Sequence, residues 1–316
     1  MSDLSSLVAQ RIVILKQVFA AHPAYERLQA EFQLLLDRRR AEISAGVVME
    51  ARGIAVIGAS GSGKTSAVAR LFSHTPGLVI DEPETARTEV VSFLVPAPAT
   101  LKFVGVTALD AVGYPFQGRR TEMIIWDMVR QHLRARRTLF LHLDEAQDLM
   151  RHQTKEAIQP VVRTLKSLMQ TKIWPVGLIL SGTLELRELL NHDPQLARRM
   201  VPVEFPRLTR HASADFALNV TQEYAARSSL QQMVNFNPDF AARLVHAADH
   251  EFGLLIEIVI EAIQVALLAR ADTLDLQHFA AAFERRSGCL PGLNPFLAAD
   301  FERINTRVLL QNEVRR

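Results

Sequence analysis

A single cysteine in 316 residues sets the first limits on this protein. Cys289 alone cannot form an internal disulfide or a cysteine-built zinc site, and its isolation is expected of a chain that works in a reducing cytoplasm. Long hydrophobic runs are also missing. The most apolar stretch, 253–269, is interrupted by Glu257 and Glu261, which share a helix face with Gln264. It reads as a core or amphipathic helix, so no membrane partner is expected. No secretory leader is expected, because Asp3 comes early and no small-residue cleavage site follows an apolar core. There is no internal repeat and no low-complexity tract. Net charge is only +2, but it is unevenly spread. Between Thr209 and Ser287 six Arg/Lys face ten Asp/Glu, a local charge of −4 that leaves about +6 on the rest. This split is compatible with a nucleic-acid face on the N-terminal part and equally with an ordinary mixed-charge surface.

With 48% hydrophobic and 22% charged residues, the chain can build a sizeable core, as one large domain plus a small one or as two modest domains. The motif that stands out is Gly58-Ala59-Ser60-Gly61-Ser62-Gly63-Lys64-Thr65, a complete G-x-x-x-x-G-K-[ST] phosphate loop, followed by Ser66. It comes after the apolar run Gly53-Ile54-Ala55-Val56-Ile57. It precedes a helical pattern carrying Val68, Leu71 and Phe72, which is the strand, loop and helix order the motif requires. Glycines let successive N–H groups turn toward a nucleotide's phosphates, and the helix N-terminus adds positive potential. In this pattern Lys64 reaches the β and γ phosphates and the Thr65 hydroxyl binds Mg²⁺, so the expected ligand is a nucleoside triphosphate such as ATP.

Residues 1–49 read as helices. Val8, Ile12, Leu15 and Phe19 recur at helical spacing, Pro23 breaks the pattern, and a second helix through Leu28, Phe32 and Leu35 is expected to end at Arg38-Arg39-Arg40. Those arginines suit either a helix C-terminus or contact with DNA. Strands are expected at 53–57, 77–80, 90–95, 138–143, 174–180 and 200–205, with helices near 64–73, 100–112, 119–136, 155–170 and 184–190 between them. Short apolar strands alternating with helices imply a parallel sheet covered on both faces. After Pro206 only helices are expected, near 212–227, 238–250, 254–270 and 276–286, with Asn237-Pro238 as a cap and first turn. The remainder, with Pro291, Gly292 and Pro295 ahead of a short helix, is either a docking tail or a partner contact. The expected organisation is an N-terminal helical segment (1–49), an α/β nucleotide-binding domain (50–208), a small all-helical lid (209–287) and a tail (288–316).

Leu139-Phe140-Leu141-His142-Leu143-Asp144-Glu145 is an apolar strand ending in two carboxylates, a Walker B pattern. Asp144 is placed to hold the Mg²⁺ shell and Glu145 to polarise the attacking water, with capping of the next helix as the other use of Glu145. Carboxylates at the end of a buried strand are costly unless paired or metal-bound. His142 reads as a packed or sheet-surface side chain and not as a ligand. The strand 176–180 leads into Ser181-Gly182-Thr183, where Ser181 or Thr183 could orient the water or touch the γ-phosphate, and Thr183 could equally cap a helix. At the helix-to-strand junction Leu196-Ala197-Arg198-Arg199-Met200, either arginine could reach the γ-phosphate held by a neighbouring subunit, or form a surface salt bridge.

In this order these elements resemble the AAA+ ATPases, and within them the TniB/TnsC-type transposition regulators, with the Mu target-selection ATPase more distant. The residues that carry the resemblance are Ala21-His22-Pro23, the loop from Gly58 to Thr65, Val95-Pro96 with Thr100-Leu101, and Ala108-Leu109-Asp110 leading to Gly113-Tyr114-Pro115. Leu143 to Leu149, Leu180 to Thr183 and Arg198-Arg199 complete it, and together they span roughly 20 to 285. The resemblance implies a P-loop AAA+ sheet with flanking helices and a helical lid. It also implies an ATP-dependent homo-oligomer, ring or filament, on double-stranded DNA that recruits or activates a transposase and is dismantled by hydrolysis. Non-specific DNA contact through phosphates would fall to Lys102, Arg119 and Arg120, in the region that lines the pore of related rings. One departure stands out. Ile256 in Gly253-Leu254-Leu255-Ile256 takes the place where many relatives carry a γ-phosphate-contacting arginine, which implies slow, DNA- or partner-stimulated hydrolysis. A switch acting on protein partners, or an ATP-binding adaptor without hydrolysis, are the other functions this pattern could serve.

Overall fold

Strands buried on both faces fill one part of the chain and helices the other. A computed structural model describes residues 2–80, 86–97, 99–116, 118–150, 155–209, 213–232 and 237–308. The elements run α1 (Ser2–Gln17), α2 (Tyr25–Ser44), β1 (Gly53–Gly58), α3 (Lys64–His74), β2 (Val90–Leu94), α4 (Leu101–Ala111), α5 (Glu122–Ala135) and β3 (Phe140–Asp144). They continue with α6 (Lys155–Gln170), β4 (Gly177–Gly182), α7 (Leu186–His192), α8 (Pro194–Ala197), β5 (Met200–Phe205) and α9 (Ala214–Arg227). The last are β6 (Gln231–Gln232), α10 (Pro238–Ala247), α11 (Phe252–Leu268), β7 (Thr273–Leu274) and α12 (Leu276–Ser287). Two compact units result. One comprises Pro23–Ala59 and Lys64–Phe205; the other comprises the chain up to His22, Ser60–Gly63, and the chain from Pro206 on.

The first unit is built on a parallel sheet of order β2-β3-β4-β1-β5. Every residue of β1, β3 and β4 is buried, as continuous apolar strands demand when both faces are covered. On one face Phe32 of α2 packs against Phe72 of α3 and Phe140 of β3, with ring centroids 5.8 and 5.2 Å apart. Another cluster joins Val104 and Leu109 of α4, Ile125, Val129 and Leu133 of α5, and Leu141, Leu143, Leu178 and Leu180 of the strands. Thr100 starts α4 by accepting the Phe103 N–H at 3.2 Å.

Four local expectations are corrected. The segment 77–80 is not a strand. Gly77 turns at φ 67, and the Val79 N–H donates to the Glu89 carboxylate at 3.0 Å instead of to a ladder. The sheet therefore has five strands, not six. Helix α2 also runs past Arg38-Arg39-Arg40 to Ser44, because Glu42 lies one turn on and pairs with both Arg38 and Arg39. Arg40 instead reaches the fully buried Glu89 at 2.6 Å and the Gly77 carbonyl. The first helix of the chain stops at Gln17, short of Phe19, and α5 starts at Glu122, after Arg119 and Arg120.

The second unit is helical except for a short parallel pair, β6 with β7, which the expectation of helices alone after Pro206 did not include. Helix α1 inserts Val8, Ile12 and Leu15 into a core shared with Val220 and Tyr224 of α9, Phe240 and Leu244 of α10, Leu255, Ile258 and Val259 of α11, and Phe279 and Phe283 of α12. Asn237 caps α10 by accepting the Phe240 N–H, with Pro238 in its first turn. Ile256 is partly buried and packs against this same core. The Gly61 carbonyl accepts the N–H groups of Gly253 and Leu254, at 2.7 and 3.2 Å. The tail, up to residue 308, docks on its own unit. Arg243 donates to the Pro295 and Ala298 carbonyls, Asn294 donates to the Ala280 carbonyl, and Phe296 is buried. Among the described residues the tail holds two 3-10 turns, Pro291–Leu293 and Phe301–Arg303, and the rest of the segment where a short helix was expected, 309–316, lies outside the described residues. Among the described residues no helix is long and apolar enough to cross a membrane.

Glu89 yields a pH prediction. Burial drives its pKa up, but hydrogen bonds from Arg40 and the Val79 N–H, and the charges of Arg40 and Arg87, outweigh this, and the net direction is down. A carboxyl held below its unfolded value stabilises the fold at neutral pH, and that contribution disappears as pH falls through the ordinary glutamate range and below. Glu89→Gln should cost about 1–3 kcal/mol at neutral pH in urea melts, and the gap to the unaltered chain should close as the pH is lowered.

Candidate nucleotide site

Strand β1 ends at Gly58 and helix α3 begins at Lys64, so the phosphate loop is the whole connection between them. Gly61 and Gly63 sit at φ 82 and 87, in the left-handed region where a side chain is strained, and this curls the loop backbone. Lys64 is 5% exposed, and its ammonium donates to the carbonyls of Gly58 and Ala59 at 2.9 and 2.8 Å. Ser62 is buried, and Thr65 and Ser66 are exposed on the first turn of α3.

The Thr65 hydroxyl donates to Asp144 Oδ2 at 2.9 Å. The other carboxylate oxygen, Oδ1, accepts from the Ser181 hydroxyl at 2.6 Å and from the Glu145 N–H at 3.1 Å. Behind Ser181 stands His142, with Nε2 2.7 Å from Ser181 Oγ and Nδ1 2.7 Å from Ser92 Oγ. The direction of each bond follows from the last. Because the Ser181 proton goes to Asp144, Ser181 accepts from His142, so Nε2 carries the proton and Nδ1 accepts from Ser92. The imidazole is neutral, since burial lowers its pKa to about 4 against the opposing effect of the Asp144 charge. Three neighbouring strands thus contribute Ser92, His142 and Ser181 to one chain of hydrogen bonds ending on Asp144. The sequence reading left His142 as a packing residue. The available signal was a polar residue inside an apolar strand, with serines in the strands on either side.

Glu145 follows with φ 55 and ψ 40, a left-handed conformation uncommon outside glycine. It is half-buried and makes no capping bond to the 3-10 turn Ala146–Leu149 that follows. Its carboxylate instead accepts from the side-chain amide of Gln147 at 2.6 Å. Thr183 donates its backbone N–H to Gln147 Oε1 at 3.0 Å, and its hydroxyl is buried without a hydrogen-bond partner among the described residues. Gln147 was named in the sequence only as part of a motif; nothing in its spacing announces that it bridges two strand ends.

The structure separates the two arginines. Arg199 is 4% exposed and bound within its own chain, to Glu50 at 2.7 Å and to the Gln195 carbonyl. Arg198 is exposed, and among the described residues its side chain has no partner. Lys102 is exposed on the first turn of α4. Arg119 and Arg120 line an open cleft of about 650 Å³ with Tyr114, Phe116, Ile124 and Met128. These three cations lie outside the cluster around Asp144.

A family profile described as Bacterial TniB protein matches residues 13–210. The chain belongs to the TniB family. No curated protein matches it. Among solved structures, this TniB-family chain is similar to the ORC1 protein of Aeropyrum pernix in complex with DNA, at 17% identity and TM-score 0.58, covering 85% of this chain and 66% of that one. It is also similar to CDC6P of Pyrobaculum aerophilum, at 14% identity and TM-score 0.58, covering 85% and 68%. The ORC2 protein of Aeropyrum pernix with ADPNP and ADP matches at 14% identity and TM-score 0.57, covering 80% and 66%. The chain thus spans just under two thirds of the length of the two Aeropyrum proteins. At such identities the likeness concerns the fold, which is the P-loop AAA+ sheet with its flanking helices.

The residues present fit a magnesium nucleotide. A hydroxyl and a carboxylate 2.9 Å apart offer the hard oxygen donors that Mg²⁺ takes, and the buried Lys64 ammonium supplies the counter-charge for phosphate. The hydrogen-bond chain also makes a structural prediction. Ser181→Ala strands the buried His142 Nε2–H and removes one donor from Asp144, so it should cost about 1–3 kcal/mol in chemical denaturation. Ser92→Ala, at an exposed position, should cost less.

Proposed function

We propose that this TniB-family protein is a cytoplasmic ATPase that binds ATP with Mg²⁺, oligomerises on double-stranded DNA and recruits or activates a transposase. The observation that carries the nucleotide half is the cluster in which Thr65, Ser181 and the Glu145 N–H converge on Asp144 beside the phosphate loop. In this reading the loop from Gly58 to Thr65, with Ser66, holds the phosphates and Lys64 exchanges its loop carbonyls for β and γ phosphate oxygens. Thr65 and Asp144 hold the metal. Mg²⁺ held there would supply positive charge to stabilise the phosphate oxygens. Glu145 orients and deprotonates the attacking water, and Ser181 keeps Asp144 aimed at the metal. Arg198 is the finger for a neighbouring subunit's γ-phosphate, supported by its exposure and by the internal pairing of Arg199.

The DNA half is supported by family membership, by the DNA complex of the structurally similar ORC1 protein, and by the exposed Lys102, Arg119 and Arg120 as phosphate contacts. Ile256 packs into the helical core with no cation to offer a γ-phosphate, which supports slow turnover that DNA or a partner accelerates.

The deciding experiment is ATP turnover with and without duplex DNA, with negative-stain imaging of the same samples. DNA-stimulated turnover with rings or filaments along the duplex is expected. Turnover indifferent to DNA would point to a switch on protein partners, and binding without turnover to an adaptor. Lys64→Ala should abolish nucleotide binding in a fluorescent-nucleotide titration. Glu145→Gln should keep ATP, lower turnover by about 10²-fold or more, and trap the oligomer. Arg198→Ala should spare nucleotide affinity of the single subunit and lower turnover in the oligomer by about 10³-fold, whereas Arg199→Ala should act on stability.

A further inference from the structure

Gln147 is 1% exposed, yet its side chain is wholly committed to polar contacts. Its Nε2 donates to Glu145 Oε2 at 2.6 Å, with a longer approach of 3.5 Å to Asp148 Oδ1. Its Oε1 accepts the Thr183 backbone N–H at 3.0 Å. This orientation of the carboxamide is the only workable one. Flipped, it would set oxygen against the Glu145 carboxylate and NH₂ against an N–H. The amide also lies flat on the end of β4, where a Cβ on Gly182 would come within 2.4 Å of Oε1. A side chain at Gly182 would therefore displace this carboxamide.

We infer that Gln147 is a positioning residue that ties the carboxylate of Glu145 to the end of β4, so that the orientation of Glu145 follows the position of Ser181-Gly182-Thr183. The inference deepens the ATPase reading and rests on it. Ser181, at one end of that tripeptide, bonds Asp144, while the Thr183 N–H at the other end bonds Gln147. A displacement at the end of β4 therefore reaches both carboxylates of the strand β3 terminus, one through a hydroxyl and the other through an amide. Glu145 stands in a left-handed conformation with no capping bond, and among the described residues the hydrogen bond to its carboxylate comes from Gln147. A shift of about 1 Å in a catalytic group costs on the order of a hundredfold in rate, so a single hydrogen-bonded tether has leverage over hydrolysis without touching nucleotide affinity.

The test uses Gln147→Met, which fills the same space with no hydrogen bonds, and Gly182→Ala, which pushes the carboxamide away while leaving Gln147 in place. Both should lower DNA-stimulated turnover by about ten- to a hundredfold and leave the affinity for a fluorescent ATP analogue near that of the unaltered protein, with rates compared at a temperature where each variant remains folded. Without nucleotide, hydrogen exchange at the Thr183 amide should rise by up to about tenfold in Gln147→Met. The double variant should be no slower than the worse single one. Unaltered turnover in Gln147→Met, or unaltered exchange at Thr183, would overturn the inference alone, provided Glu145→Gln is inactive. An absence of turnover in the unaltered chain, even with DNA, would overturn the ATPase reading and this inference with it.

Discussion

The Asp144 carboxylate is the constraint on which the rest of the nucleotide site depends. It ends a fully buried strand, where an unpartnered charge would cost several kcal/mol. The fold resolves this by pointing donors at it from three segments: Thr65 from α3, Ser181 from β4 and the backbone of Glu145. The oxygens that would hold a metal are therefore the same ones that secure the sheet terminus. A second layer, Ser92 and His142, fixes Ser181 in turn. Burial keeps that histidine neutral, and a neutral imidazole with one donor and one acceptor is what a directional chain of this kind needs.

The same economy governs Glu145. In the proposed role, a carboxylate that activates water has to be held but not neutralised. An amide donor holds it without adding a full positive charge, whereas an arginine in that place would add one. Elsewhere the chain uses arginine for structural carboxylates. Arg40 and Arg87 flank the buried Glu89, Arg199 takes Glu50, and Arg38 and Arg39 share Glu42. The positive charge carried by α2 and by the junction before β5 is thus partly spent inside the molecule, and net charge counts alone overstate how much of it faces a polyanion.

Family membership and fold set the frame within which this site operates. The profile match over residues 13–210 spans β1 to β5, and the structural neighbours share the arrangement at 14–17% identity. At that distance side-chain roles do not transfer by likeness. In this chain Arg198 is exposed, whereas Arg199 is buried against Glu50.

The sequence by itself determined the phosphate loop, the Walker B carboxylates and the alternation of strands with helices. These are contiguous signals, set by local backbone needs and by periodicity: glycines for positive φ at Gly61 and Gly63, unbroken apolar runs for strands buried on both faces. It also placed the cap at Asn237. What it could not show was settled by partners distant in sequence. Segment 77–80 is apolar enough for a strand but loses its ladder to the Glu89 side chain, ten residues away. The arginine run in α2 looks like a helix end until Glu42 and Glu89 are seen to take it up. His142 and Gln147 acquire their roles only when β2, β3 and β4 align in register, because a hydrogen bond between strands is fixed by three-dimensional proximity and leaves no spacing in the chain to read.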